Sequence, residues 1–257
     1  MKKQGFSLVE LAIVLVILGL LTGGILAGRA LIRASELRSV TREYEQFRTA
    51  THTFRDKYLA LPGDMPNAET FWGTAATSNA DCQLFDSTGV TATCNGNGDG
   101  RTHGAWRGNE RFRFWHHLAN AGLIEGSYSG IEGSSGNGAH SAYANSGRSK
   151  LDGGLWAATY FDHSGGGSGS STFAVNYGHS FLLGKEMNIS APTAPLMRTE
   201  ELWNIDTKID DGLPAQGRIW SARVSGCTTA SNATDFTSEY NFTNTNLVCA
   251  MRTRNSF

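Results

Sequence analysis

From residue 6 to residue 27 the chain reads FSLVELAIVLVILGLLTGGILA, an apolar run interrupted by a single ionisable side chain, Glu10. About 20 apolar residues rising 1.5 Å each cover the ~30 Å hydrocarbon layer, so this run is long enough to span a bilayer. Lys2 and Lys3 ahead of it place the short tail in the cytoplasm and the bulk of the chain on the other side. An ordinary secretory signal has a shorter apolar stretch ending in small residues, and an ordinary anchor does not carry a carboxylate near the start of its span. A lone carboxylate in hydrocarbon costs roughly 2.5–3.5 kcal/mol on insertion scales, so Glu10 requires a compensating partner.

Beyond the run the pattern turns polar but keeps a helical period, with neither Pro nor Gly between Arg29 and Leu61. Leu37, Val40, Tyr44, Phe47, Thr51, Phe54 and Tyr58 recur at alternating steps of three and four, which marks one sticky helix face. The spacing predicts one helix from Phe6 to about Tyr58, about 80 Å long, stopped by Pro62 and Gly63, with its outer half packed on the chain's own head. Gly19, Gly23, Gly24 and Gly28 make the inner half the weakest part of this rod. Unwinding around Thr22 to Gly28 and close helix contact through small residues are both open readings of them.

From Leu61 on, the chain is rich in Gly, Ser, Asn and Thr, with interspersed aromatics. Two segments have helical periodicity. NERFRFWHHLANAGLI, from Asn109 to Ile124, puts Phe112, Trp115, Leu118 and Ala119 on one face, with Asn109 as N-cap and Gly122 as stop. RTEELWNIDTKIDDGLP puts Leu202, Ile205 and Ile209 on a face. GGLWAATYF, STFAVNYGHSFLLG and GRIWSARVSG read as strands of an antiparallel sheet. The expected fold is α+β: a long N-terminal helix packed on an antiparallel sheet head with long loops. The expected organisation is a leader at residues 1–5, an apolar helix at 6–28, its amphipathic continuation at 29–60 and a head at 61–257.

Charge adds little pull toward polyanions, since 22 Lys plus Arg nearly cancel 23 Asp plus Glu. No nucleic acid is required as a partner. The four cysteines fall in two local pairs, Cys82 with Cys94 and Cys227 with Cys249. Three pairings are open, and the local one closes short loops in an oxidising compartment. Asn95, Asn97 and Asp99 in NGNGDG match the alternating oxygens and glycine turn that open a calcium loop, but Trp106 stands where a bidentate Glu should be. Asp81, Asp86 or Glu110 would have to close the shell, and tight turns beside a disulfide account for the same residues. Asp206, Asp210 and Asp211 read as a helix end rather than a metal site. Adjacent His116 and His117 point about 100° apart on a helix and cannot share one metal. GHS at residues 178–180 lacks a nucleophile-elbow pattern, and SGGGSGSS at 164–171 precedes no Lys. No catalytic constellation emerges, and no cofactor beyond a structural calcium is expected.

The N-terminus KKQGFSLVELAIVLVILGLL resembles the signal and first helix of type IV pilins and type II secretion pseudopilins: a basic leader, Gly5, the aromatic Phe6, and Glu10 four positions later. The resemblance implies cleavage after Gly5 on the cytoplasmic face by a prepilin peptidase, methylation of the new amine of Phe6, and pairing of Glu10 with that ammonium in its own or a neighbouring subunit. It implies a non-enzymatic structural subunit of a type IV pilus or pseudopilus. Its partners would be copies of itself or other pilins, the peptidase, the membrane and the inner-membrane assembly platform. The alternative is a minor tip pilin acting as an adhesin or DNA-binding module. The expected location is the bacterial inner membrane with the head in the periplasm, then the filament, which can reach the cell surface. Many pilins carry a disulfide-closed C-terminal loop where Cys227 and Cys249 lie, and calcium holds a loop in the major pseudopilins.

Overall fold

The computed structural model describes residues 7–76, 82, 84–102, 110–133, 140, 144–164, 172–187, 191–222 and 225–257. Helix α1 (Leu8–Tyr58) runs unbroken for 51 residues. It starts at Ser7, whose side chain caps the Val9 amide, and ends where Leu59 takes a left-handed conformation and donates its amide to Arg55. The helix thus ends at Tyr58, as expected, with the stop made by the left-handed Leu59 three residues before Pro62. Gly63, at φ 84°, serves the following turn, where an added Cβ would collide with the Glu110 carbonyl.

The predicted stripe is the docking face of α1. Val40, Tyr44, Thr51 and Phe54 are fully buried, while Leu37 and Tyr58 pack at the edges of the core. A short α2 (Glu69–Trp72) follows, then α3 (Glu110–Asn120), then strands β1 (Gly147–Arg148), β2 (Gly154–Asp162) and β3 (Asn176–Lys185). Next come α4 (Thr199–Ile209), β4 (Ile219–Ser221) and β5 (Met251–Thr253). The five strands pair antiparallel in the order β1-β2-β3-β5-β4. The architecture is the expected α+β one, pilin-like in its long leading helix.

One sheet face, through Trp156, Ala158, Phe181 and Leu183, meets α1 and α3. Phe47 sits at the junction, with its ring centroid 4.9 Å from Trp115, 5.9 Å from Trp156 and 6.3 Å from Phe181. Three alanines and a leucine on the opposite face, Ala157, Ala222, Ala250 and Leu182, form a separate cluster, so β2 is buried on both sides along much of its length. Two expectations need correction. Helix α3 was expected to bury one face, but Glu110, Phe112, Arg113, Phe114, Trp115, His116, His117 and Leu118 are all buried, because the polar members find partners in the loops wrapped around it. The segment before Asn176 bends instead of extending β3. Asn109, Ser171, Arg223 and Val224 lie outside the described residues.

Candidate assembly surface and the contacts that position it

Among the described residues, nothing in the head buries the inner half of α1. Leu8, Val9, Leu11, Ile13, Val14, Leu15, Val16 and Ile17 are each at least half exposed, and the exposure continues through Leu31 and Ile32. The most apolar 18-residue window of α1 has a mean hydropathy of 2.6 and no residue buried within the protein. A helix that is apolar all round is stable only in lipid or among other helices, so this surface is made for a second environment. By length and composition α1 can cross a membrane.

Glu10 faces outward on this surface and reaches back to accept the Ser7 amide at 2.8 Å. Ser7 and Glu10 thus form a capping box, which satisfies orphan donors of the first turn. The same carboxylate lies beside the helix N-terminus, where the helix dipole favours negative charge. Gly5 and Phe6 lie outside the described residues.

The outer half begins at a clamp. Arg33 donates from Nε to Glu201 Oε1 and from Nη2 to Glu201 Oε2, both at 2.7 Å, and Nη2 also donates to the Leu196 carbonyl at 3.0 Å. Glu36 adds a longer contact at 3.6 Å. The Glu201 bonds raise the Arg33 pKa above its ordinary value despite partial burial. Burial pushes the Glu201 carboxyl up, but the Arg33 bonds and the Arg198 amide outweigh it and hold Glu201 below the usual carboxylate range.

Nearly three turns beyond Arg33, Glu43 is buried in the helix–sheet interface and accepts three donors: Ser149 Oγ at 2.6 Å, the Lys150 amide at 2.8 Å and Trp156 Nε1 at 2.8 Å. This carboxylate sets the register of α1 against β2. Neither Glu43 nor Arg33 stands out in the sequence, because the apolar stripe was read without its polar neighbours.

The glycine-rich loop after Cys94 is organised by an unforeseen residue, Asp64. Its Oδ1 accepts the Gly98 amide at 2.8 Å and the Asp99 amide at 3.2 Å, and its Oδ2 accepts the Gly100 amide at 2.8 Å. Burial raises the Asp64 pKa, with the three amides pulling it back down. Asn95 Oδ1 accepts the Glu69 amide, Asn97 Oδ1 accepts the Asp99 amide, and Asp99 Oδ1 accepts the Arg101 amide, so these three side chains brace successive turns. Glu110 Oε1 accepts the Asn97 amide. Asp86 accepts from Thr88, while Asp81 and Trp106 lie outside the described residues. Cys82 is bonded to Cys94, and Cys227 to Cys249.

His116 and His117 share a hydroxyl. Gly63 donates its amide to His117 Nδ1 at 2.9 Å, which leaves Nε2 to donate to Thr93 Oγ1 at 3.0 Å. His116 Nε2 donates to the Val90 carbonyl at 3.1 Å, and its Nδ1 accepts from Thr93 at 3.2 Å. Both rings are neutral in this network. Burial lowers the pKa of His116 to about 4 and that of His117 well below the ordinary value.

Residues 1–26 match the family model described as the prokaryotic N-terminal methylation motif, the prepilin signal of type IV pilins and pseudopilins. The match spans the leader, Gly5, Phe6, Glu10 and most of the exposed apolar run. No curated protein and no solved structure matches the chain. The motif and the exposed apolar helix fit a membrane-anchored precursor with a pilin-type signal.

Proposed function

We propose that this protein is a structural subunit of a type IV pilus or type II secretion-like pseudopilus. In this reading a prepilin peptidase cleaves after Gly5 and methylates Phe6, and the subunit then polymerises through residues 6–28. The observation that carries it is the coincidence of the methylation motif at residues 1–26 with a helix half that the head leaves entirely uncovered. Such a helix resides in the inner membrane with the head in the periplasm, and leaves lipid only for a bundle of its own kind. The work is packing, and the head needs no catalytic group for it.

Glu10 caps its own helix while the signal is intact. After cleavage the new ammonium of Phe6 becomes its partner, in cis or on a neighbouring copy, and sets the axial stagger of packed helices. Buried ion pairs give little net stability but specify register. Glu10→Ala is expected to leave cleavage intact, shown by mass spectrometry of the processed N-terminus, and to reduce filament yield at least tenfold in sheared-surface or pseudopilus preparations. Unchanged fibre yield would overturn the register role, and a native chain that still begins at Met1 would overturn the whole reading.

Exposed aromatics on the head, Phe71 and Phe242, favour a second reading as a rare tip subunit that binds a surface or DNA. Immunogold labelling separates the two: label along the fibre supports the first, and label confined to one end supports the second.

A further inference from the structure

The uncovered apolar surface of α1 is longer than a hydrocarbon layer is thick. Leu31 and Ile32 are still 73% and 62% exposed. From Leu8 to Ile32 the helix therefore carries about 25 uncovered residues, about 37 Å of length. That exceeds the ~30 Å of hydrocarbon but fits within the roughly 40–45 Å that includes the headgroups. In a membrane-anchored chain Leu31 and Ile32 thus fall in the headgroup layer, and Arg33 follows them directly.

Arg33 is also the point at which the head is tied on. Its bonds to the Leu196 carbonyl and to Glu201 bring residues 196–201 to its own level. Met197 in turn accepts the Val248 and Cys249 amides at 3.1 and 2.9 Å, which brings the end of the disulfide loop there too. These segments leave large apolar side chains outside. Trp203, Phe242 and Leu247 are all exposed, and the rings of Trp203 and Phe242 meet edge to face with centroids 5.7 Å apart. Consecutive Cα atoms are about 3.8 Å apart, so Trp203 lies within about 8 Å of Glu201 whichever way α4 runs. Arg29 joins this base. It stands one turn before Arg33 on the same helix face, is exposed, and forms no ion pair among the described residues. Arg198 is exposed as well, but Glu200 lies 3.9 Å from it and offsets its charge.

We propose that Trp203, Phe242, Leu247 and Arg29 form a lipid-headgroup contact that seats the base of the head on the bilayer surface. The contact rests on the membrane-anchored precursor proposed above. An indole ring belongs in the headgroup layer, where its apolar body and its polar N–H are both satisfied. Phe242 and Leu247 add apolar area, and Arg29 pairs with a lipid phosphate. Continuity favours lipid over a protein occupant, because the patch adjoins the exposed apolar helix through Leu31 and Ile32. Phe71 packs against Tyr58 at the far end of α1 and takes no part.

The test uses the full chain reconstituted in phosphatidylethanolamine–phosphatidylglycerol vesicles, with and without lipids brominated near the headgroup. Resistance to alkaline carbonate is expected, and extraction by carbonate would overturn both the anchored reading and the contact that rests on it. Bromine is expected to quench part of the tryptophan emission, and that part is expected to vanish in Trp203→Phe with Tm unchanged. Phe242→Ser and Arg29→Gln are each expected to lower the quenching roughly twofold or more, while Phe71→Ser leaves it as it was. In a carbonate-resistant chain, absence of quenching, quenching that survives Trp203→Phe, or an equal loss in Phe71→Ser would overturn the contact and leave the anchored reading standing. Protection of Trp203 that grows with protein density and shows no bromine quenching would give the surface to a second copy and overturn the contact as well.

Discussion

Glu43 and Glu10 lie on the same helix and do opposite things: one is buried with three donors, the other is exposed and caps the first turn. Removing a buried acceptor leaves its donors without partners, each at a cost of about 1–3 kcal/mol. Glu43→Ala is therefore expected to destabilise the protein by about 3 kcal/mol or more in urea unfolding, and Glu43→Gln by less, because one amide oxygen still accepts. The histidines give a pH prediction. The folded-state pKa of His116 is held near 4 by burial, below the unfolded value of 6.5, and that of His140 near 3 for the same reason. The unfolded chain then binds more protons, so this contribution is complete above about pH 6.5 and is lost as pH falls through 4. Each histidine is expected to cost about 2 kcal/mol of stability at pH 5 relative to pH 7.5, measured by urea unfolding at both values. At this scale the sequence was informative where chemistry is local. The Gly5, Phe6 and Glu10 spacing could be read directly, and the Ser7-x-x-Glu10 capping box was present in the letters though unread. The roles of Glu43, Arg33 and Asp64 could not be read, because each depends on hydrogen-bond partners far away in the chain.

Helix α1 was readable because its stripe obeys one period over many turns, and long periodic segments are the ones that sequence specifies most fully. Helix α3 was harder. Its buried polar residues, Arg113, His116 and His117, break any apolar period, yet Arg113 donates to the Cys82 and Phe85 carbonyls and the histidines to the Val90 segment, so loops rather than solvent cover that side. Strand β5 escaped for a related reason: Arg252 sits in its middle, fully enclosed, with its guanidinium 4.2 Å from the Phe161 ring centroid and 5.2 Å from that of Tyr177. An arginine in a central strand reads as surface until its aromatic partners are known. The cysteine pairs give an element-scale prediction. The Cys227–Cys249 bridge closes the segment leading into β5, whose backbone meets Met197 just before α4. Replacing both cysteines by serine is expected to cost about 2–5 kcal/mol. Amide exchange should rise first around Met197 and Tyr240 while the α1–β2 interface stays protected.

At the scale of the whole molecule, the hydrogen bonds between α1 and the head among the described residues begin at Arg33, whose clamp on Glu201 comes first on leaving the exposed half. Arg33→Ala is expected to lower Tm by no more than a few degrees, since the aromatic core around Phe47 is untouched. It should nonetheless make the helix near Ala34 and Ser35 sensitive to protease in detergent, where the parent resists. The position of this clamp also fixes a length. Roughly 25 helical residues precede it, about 37 Å at 1.5 Å per residue, against the ~30 Å of hydrocarbon they are built to cross. Little more than one helical turn is left over, so in the membrane-anchored state proposed above the head would ride close above the lipid headgroups with no slack tether. In the fibre proposed above, the same short stalk would leave neighbouring heads nowhere to retreat, and the outer wall would have to follow whatever pitch the central bundle adopts.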